Sequence, residues 1–253
     1  MNRMEERVGA CVFVALDFPD VRSAEPTLLA MTRYEAHPVG VKVGLELITS
    51  AGLEAVMRCI RFYGNFPVFV DLKFMDIPAT VTGAVKSLKQ HGPKLYNMHA
   101  SGGVDMLRAG VAASKGWAEA FAVTVLTSLS DDDCLGTDDR PGIFGALATE
   151  KVCDFAQYAV EADCAGIVCS ASDLLSLNNL GVGEGLLKLT PGIRPAWSCG
   201  KDDQSRVTTP AQAARMGADA IVVGRPITKP VDGFTVKSAL AAVVEEFYSA
   251  KGD

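Results

Sequence analysis

The chain has 253 residues, 49% of them hydrophobic, which is enough to bury the core of one large α/β domain or of two small ones. Acidic side chains outnumber basic ones by 30 to 24, and the net charge of −6 gives no basic surface for nucleic acid or an anionic membrane. No apolar signal segment, membrane-spanning run or CxxC pair is found, and no linker divides the chain, so we expect one cytoplasmic domain over residues 1–253 with reduced cysteines.

Apolar runs typical of buried strands alternate with amphipathic stretches typical of helices along the whole chain. The strands are predicted near residues 11–16, 39–43, 67–72, 94–98, 120–126, 165–169, 186–190 and 219–223. The helices are predicted near 21–35, 51–63, 79–91, 104–114, 146–162, 172–178, 210–216 and 233–250. This eightfold repeat predicts a closed (β/α)8 TIM barrel. The alternative, a doubly wound open sheet, usually has a glycine-rich phosphate loop after an early strand, and residues 15–19 contain no glycine.

Nearly every predicted strand ends in a polar residue. In a (β/α)8 barrel these strand ends meet at the C-terminal mouth, where the active sites of this architecture lie. The polar residues, taken strand by strand, are Asp17, Lys42, Asp71 with Lys73, Asn97 with His99, Thr127, Ser170, Thr190 with Arg194, and Gly224 with Arg225. The pattern therefore predicts a polar site at one end of the barrel.

The stretch Asp71-Leu72-Lys73-Phe74-Met75-Asp76 places two carboxylates and an ammonium group within six residues at the end of an apolar run. The strand period of two puts Phe69, Asp71 and Lys73 on one face of the sheet. Burying such ions costs several kcal/mol unless partners compensate, and catalysis is one reason to keep them. With Lys42, this stretch predicts an array of alternating charge, although a lysine at a strand end can also simply extend to water.

Two features of this region have a structural alternative. Asp76 is also a candidate N-cap for a helix that begins near Pro78, since aspartate is favoured at that position and proline in the first turn. His99 is isolated and is more typical of a structural residue than of a ligand. No HxH or HExxH spacing indicates a zinc site, although carboxylates alone could still hold magnesium.

The loops after the last two strands indicate an anion site. Arg225 offers a planar fork for phosphate oxygens and Gly224 allows close backbone approach, although a surface arginine after a turn glycine is the alternative. The polar segment 195–209, which includes Gln204, lacks helical or strand period. We predict that this segment is a lid that grips the phosphate, the alternative being a solvated connection. The acidic stretch 130–140 is predicted to be a solvated loop.

Seven motifs in register resemble orotidine 5'-phosphate decarboxylase between about residues 10 and 230. They are Ala15-Leu16-Asp17, Val41-Lys42-Val43-Gly44, the stretch from Asp71 to Thr80, His99-Ala100-Ser101-Gly102-Gly103, Val125-Leu126-Thr127-Ser128, Thr190-Pro191-Gly192-Ile193-Arg194 and Gly224-Arg225-Pro226-Ile227-Thr228. The resemblance implies a homodimeric barrel that converts orotidine 5'-monophosphate to UMP and CO2 without metal or organic cofactor. Met75 and Ala79 stand where relatives often have histidine and asparagine, and we expect these changes to tune packing rather than abolish activity.

The resemblance also implies roles for individual residues. Lys73 would be the proton donor, and Asp71 would lie beside the substrate carboxylate. The other substrate contacts would be Asp17 and Lys42 at the ribose, Thr127 at the pyrimidine, Arg194, Gln204, Gly224 and Arg225 at the phosphate, and Asp76 with Thr80 reaching the neighbouring subunit's site. Two further functions stay open: a magnesium-dependent sugar-phosphate decarboxylase or aldolase-type barrel with the same Asp-x-Lys-x-x-Asp core, and a non-catalytic phosphate-binding barrel.

Overall fold

Eight parallel strands form a closed barrel in the computed structural model, which describes residues 3–199 and 208–252. The strands are β1 (Val12–Ala15), β2 (Val39–Gly44), β3 (Val68–Phe74), β4 (Leu95–His99), β5 (Glu119–Val123), β6 (Gly166–Val168), β7 (Leu187–Thr190) and β8 (Ala220–Val223). Neighbouring strands pair in sequence order, and β1 closes the barrel by pairing with β8. The predicted (β/α)8 architecture is confirmed.

Helices cover the outside of the barrel between successive strands. The longer ones are Val21–Thr32, Leu45–Ala51, Leu53–Tyr63, Pro78–Leu88, Val104–Ser114, Ala148–Glu161, Ala171–Leu180 and Val236–Gly252. The shorter ones are Arg3–Val8, Asp131–Leu135, Pro210–Arg215 and Arg225–Thr228, with 3-10 turns at Lys89–His91, Ala100–Gly102 and Ala196–Ser198. Leu53–Tyr63 is representative, because it buries Val56, Met57 and Ile60 on one face, as the helical period requires. Within the described ranges, no helix is both long and apolar enough to cross a membrane.

The sequence prediction was wrong at two places in the outer layer. The helix predicted at 51–63 is confirmed as Leu53–Tyr63, but the helix Leu45–Ala51 that precedes it was not predicted; the two are separated by Gly52, whose φ of 78° interrupts the helical path. The stretch 130–140, predicted as a loop, contains the helix Asp131–Leu135 and a two-stranded ribbon of Gly136–Thr137 with Arg140–Pro141. Ser130 and Asp133 form a capping box that begins this helix.

The barrel interior is filled mainly by aromatic and branched side chains. Phe13 on β1 and Phe69 on β3 are essentially unexposed, and their rings meet edge to face with centroids 6.2 Å apart. Gly40 on β2, the strand between them, makes room for this contact, because a Cβ there would lie 2.5 Å from the Phe13 ring and 2.9 Å from the Pro67 carbonyl oxygen. This packing closes the interior beneath the polar strand ends.

Candidate active site

A cavity of about 330 Å³ lies at the C-terminal mouth of the barrel. Eight of the predicted site residues line it: Asp17, Lys42, Asp71, Lys73, Thr127, Arg194, Gly224 and Arg225. Asp76 and Thr80 do not line the cavity, and both are exposed at the surface of this single chain. Gln204 and most of the predicted lid lie outside the described residues. The cavity therefore brings together eight of the eleven predicted site residues, whereas four other polar residues at predicted strand ends, Asn97, His99, Ser170 and Thr190, do not line it.

Four side chains of alternating charge follow one another across the C-terminal ends of β1, β2 and β3. Lys42 Nζ lies 2.7 Å from Asp17 Oδ1 and 3.5 Å from Asp71 Oδ2, and Lys73 Nζ lies 2.6 Å from Asp71 Oδ1. The Lys42 and Asp71 side chains are only 9% and 13% exposed. Sequence reasoning predicted an array that ends in Asp76, whereas the array in this chain begins at Asp17 and ends at Lys73. Its formal charges sum to zero, which limits the cost of holding ions in a partly buried site.

Asp71 is the centre of this array, and its ionised form is favoured. Burial alone raises the pKa of the Asp71 carboxyl, but the Lys42 and Lys73 ammonium groups and hydrogen bonds from Lys73 and Asn97 outweigh that effect. The net result is a pKa below the ordinary value of 3.8. The pKa of His99 is lowered from its ordinary value, mainly because burial disfavours the charged imidazolium and also because the Lys73 ammonium repels it.

The backbone around these groups explains how the strands present them. Gly44 leaves space for the Lys42 ammonium, since a Cβ at Gly44 would lie 3.1 Å from Lys42 Nζ. Lys73 has a φ of 52°, in the left-handed region that costs a non-glycine residue about 1–2 kcal/mol. The same segment of β3 loses its regular register with β4 between Val70 and Phe74. Strain of this kind concentrates at functional sites.

Sequence reasoning gave Asn97 no role, yet it contacts the charged array directly. Asn97 lies on β4, is 0% exposed, and donates a hydrogen bond from Nδ2 to Asp71 Oδ1 at 2.7 Å. Its Oδ1 accepts a hydrogen bond from the Lys73 backbone N–H at 2.8 Å. The sequence did show an amide side chain on β4, the strand that pairs with β3, which carries Asp71. The contact itself, however, depends on the irregular register between β3 and β4.

Two arginines reach the cavity from the loops after β7 and β8. Gly192, with a φ of 77°, turns the chain after β7, and the Arg194 backbone N–H donates a hydrogen bond to the Thr208 carbonyl oxygen at 3.0 Å. Over 3–199 and 208–252, neither the Arg194 nor the Arg225 guanidinium has an acidic partner within 4.0 Å. Two guanidinium groups without an acidic partner in the described ranges, in a cavity that Gly224 also lines, are suited to hold a phosphate group.

Asp76 does not cap the following helix, so that prediction was wrong. The N-cap position of the helix Pro78–Leu88 is Ile77. Its backbone is extended, because the ring of the following proline disfavours the helical conformation for the residue before it. Asp76 Oδ1 accepts a hydrogen bond from the adjacent Ile77 N–H at 2.7 Å, and no other described residue is its hydrogen-bond partner. The carboxylate remains exposed, beside Met75 and Ile77, which are 57% and 66% exposed. In the described parts of the chain, no group of three or more His, Cys, Asp or Glu side chains is placed to hold a metal ion.

The fold and the site together define a (β/α)8 barrel that holds an Asp-Lys-Asp-Lys array in a cavity that two arginines also line. In (β/α)8 barrels the loops after strands seven and eight frequently form a phosphate site. The chain belongs to the orotidine 5'-phosphate decarboxylase / HUMPS family, whose model matches residues 11–236.

Individual relatives are similar over nearly the whole chain. The orotidine 5'-phosphate decarboxylase of Anaeromyxobacter dehalogenans is 44% identical over 91% of this chain and 96% of its own length. That of Thermobifida fusca is 41% identical over 94% of this chain and 97% of its own length. The crystal structure of the decarboxylase from Lactobacillus acidophilus superimposes with a TM-score of 0.75 at 33% identity, covering 94% of this chain and 99% of that one.

Proposed function

We propose that the protein decarboxylates orotidine 5'-monophosphate to UMP and CO2, the last step of de novo pyrimidine nucleotide synthesis. The observation that carries this proposal is the array of Lys42, Asp71 and Lys73 in the mouth of a barrel that belongs to this family. An ammonium group held at 2.6 Å from a carboxylate is suited to stabilise a carbanion and then to protonate it.

In the proposed reaction, the bond between C6 of the pyrimidine and the carboxylate breaks. CO2 leaves, and the electron pair stays on C6, where the ring offers no good sink for it. The Lys73 ammonium stabilises this charge and transfers a proton from Nζ to C6, and Lys73 then regains a proton from solvent. Asp71 orients the Lys73 ammonium, and it lies beside the departing carboxylate.

The remaining site residues bind the substrate away from the reacting carbon. We assign Asp17 and Lys42 to the ribose, Thr127 to the pyrimidine, and Arg194, Gln204, Gly224 and Arg225 to the phosphate. The two unpaired arginines support the phosphate assignment, and the segment 195–209 would act as the lid over it. Contacts to a remote phosphate supply binding energy that positions the reacting carbon against Lys73.

The direct test is an assay of orotidine 5'-monophosphate turnover, measured as a decrease in absorbance, with and without excess EDTA. We expect decarboxylation at the same rate in both, because the proposed chemistry uses protein groups alone and no cofactor. Activity that EDTA abolishes would favour the magnesium-dependent alternative. Phosphate or UMP binding without turnover would favour a non-catalytic barrel.

We further propose a cytoplasmic homodimer in which Asp76 and Thr80 complete the neighbouring subunit's site. Met75 and Ile77, exposed on either side of Asp76, support this, since neighbouring exposed apolar side chains can form part of a protein–protein interface. Mixing Lys73→Ala with Asp76→Ala subunits tests the sharing. A heterodimer has one fully wild-type site, so random mixing should restore about one quarter of wild-type activity. No recovery, although an affinity tag on one variant co-purifies the other, would place Asp76 in its own subunit's site.

A further inference from the structure

Asn97 uses both ends of its side-chain amide on the two residues that the proposed mechanism places at the reacting carbon. Its Nδ2 donates to Asp71 Oδ1 at 2.7 Å, and its Oδ1 accepts from the Lys73 backbone N–H at 2.8 Å. The residue is 0% exposed and does not line the cavity. Asn97 is therefore placed to act on Asp71 and Lys73 rather than on a bound substrate.

The hydrogen bond to Lys73 replaces one that the regular sheet would supply. Along β3 and β4 the pairs are Phe69 with Leu95 and Val70 with Tyr96, but the next recorded pair is Phe74 with Met98. Three residues of β3, numbers 71–73, thus stand opposite Asn97 alone, as in a β-bulge. The Asn97 side chain supplies an acceptor for the Lys73 N–H, in the segment where Lys73 has its left-handed φ of 52°.

The hydrogen bond to Asp71 fixes the partner of the Lys73 ammonium. Asp71 Oδ1 accepts two hydrogen bonds, one from Lys73 Nζ at 2.6 Å and one from Asn97 Nδ2. A neutral amide donor supports the carboxylate without changing the zero net charge of the array formed by Asp17, Lys42, Asp71 and Lys73. An aspartate in place of Asn97 would keep the acceptor for the Lys73 N–H but would lose the donor and add a negative charge.

We infer that Asn97 is a positioning residue, which holds the backbone of Lys73 in its left-handed conformation and the carboxylate of Asp71 in place, so that the Lys73 ammonium points at the reacting carbon. The inference rests on the proposed roles of Asp71 and Lys73. It predicts an effect on the chemical step rather than on substrate binding.

Two variants of Asn97 separate its two hydrogen bonds. Asn97→Ala removes both, and we expect kcat to fall by about 10²-fold, the scale for a small misplacement of a reacting group, while KM and UMP affinity change by less than about threefold. Asn97→Asp should also lose activity near neutral pH. Its kcat should recover as the pH is lowered, because the introduced carboxyl group, once protonated, can donate to Asp71 as the amide does. Wild type should show no such rise.

Tyr96→Phe is the matched control on the same strand. Tyr96 is also 0% exposed, and its hydroxyl donates to the Gly110 carbonyl oxygen at 2.8 Å and lies 3.1 Å from Ser114 Oγ, on the helix Val104–Ser114. Losing these contacts should lower the unfolding midpoint without changing kcat or its pH profile. Equal losses of kcat in Tyr96→Phe and Asn97→Ala would overturn the inference, because buried hydrogen bonding in general would then account for both.

Crystal structures of the two Asn97 variants test the inference independently of the reaction. In Asn97→Ala we expect Lys73 to leave the left-handed region and its Nζ to move beyond 3.5 Å from Asp71. Unchanged Lys73 geometry would overturn the positioning role whatever the turnover. If the wild-type protein does not decarboxylate orotidine 5'-monophosphate, the proposed function is refuted. The structures would still show whether Asn97 holds Lys73 and Asp71 in position. If Asn97→Ala does not fold, the inference is tested by the pH profile of kcat and the crystal structure of Asn97→Asp.

Discussion

Replacing Asp71 by asparagine removes one charge from the array and keeps the shape of the side chain. At an effective dielectric constant of about 20, pairs at 3.5 and 2.6 Å have Coulomb energies of roughly 5 and 6 kcal/mol, much of which the desolvation of the ions offsets. Losing one partner of a buried ion pair usually costs about 3–5 kcal/mol. Lys73 is 30% exposed, and an asparagine oxygen can still accept one hydrogen bond, so we expect a loss of about 2–3 kcal/mol at pH 7.

The pH dependence of this loss distinguishes charge from shape. The pKa of Asp71 is lowered in the folded protein, so its carboxylate stabilises the fold fully above the ordinary value of 3.8, and this contribution disappears as the pH falls through the folded pKa. The difference between wild type and Asp71→Asn should therefore be constant above about pH 5 and shrink below about pH 4.

Urea unfolding followed by circular dichroism at a series of pH values measures this difference. Asp105→Asn is the control, because the Asp105 side chain is 90% exposed and its loss should change the free energy of unfolding by less than about 0.5 kcal/mol. A difference that stays constant to the lowest pH at which both proteins fold would refute the electrostatic reasoning.

Two further predictions concern the phosphate end and the barrel interior. Arg225→Ala should raise KM for orotidine 5'-monophosphate by about 10–100-fold, since a hydrogen bond to a charged group contributes about 1.5–3 kcal/mol. Arg225→Ala should also weaken the preference for the phosphorylated substrate over the unphosphorylated nucleoside, whereas Lys229→Ala, a change at an exposed lysine, should not. An unchanged preference in Arg225→Ala would contradict the assignment of Arg225 to the phosphate site. Gly40→Ala should cost about 1–3 kcal/mol in urea unfolding, because its Cβ would overlap the Phe13 ring and a backbone oxygen. Gly83→Ala, with open space around its Cβ, should not destabilise, and equal effects would contradict the packing argument.

The barrel could be predicted from sequence because its strands are covered on both faces and therefore read as continuous apolar runs. The errors came where one glycine or one cap decides the local path. The short helix Leu45–Ala51, which ends at Gly52, was missed, and the capping box of Ser130 with Asp133 lies in a stretch whose acidic composition suggested a loop. Composition alone could not predict local features of this kind.

The chemistry of the site could be predicted further than its geometry. Lysine and aspartate at strand ends indicated the array, because the strand ends of a barrel meet at one mouth. The role of Asn97 could not be predicted, since it depends on the register shift between β3 and β4, which no period in the sequence reveals. The capping of Asp76 was predicted wrongly, because Pro78 moves the cap position to Ile77.

The central claim, that the Lys73 ammonium stabilises and protonates the carbanion, is tested most directly by Lys73→Ala. Turnover of orotidine 5'-monophosphate and the Kd of UMP are measured on the same preparation, with Lys115→Ala, an exposed lysine outside the cavity, as the control. We expect kcat to fall by at least about 10⁴-fold, while the Kd of UMP changes by less than about tenfold. Decarboxylation within tenfold of wild type would contradict the role assigned to Lys73.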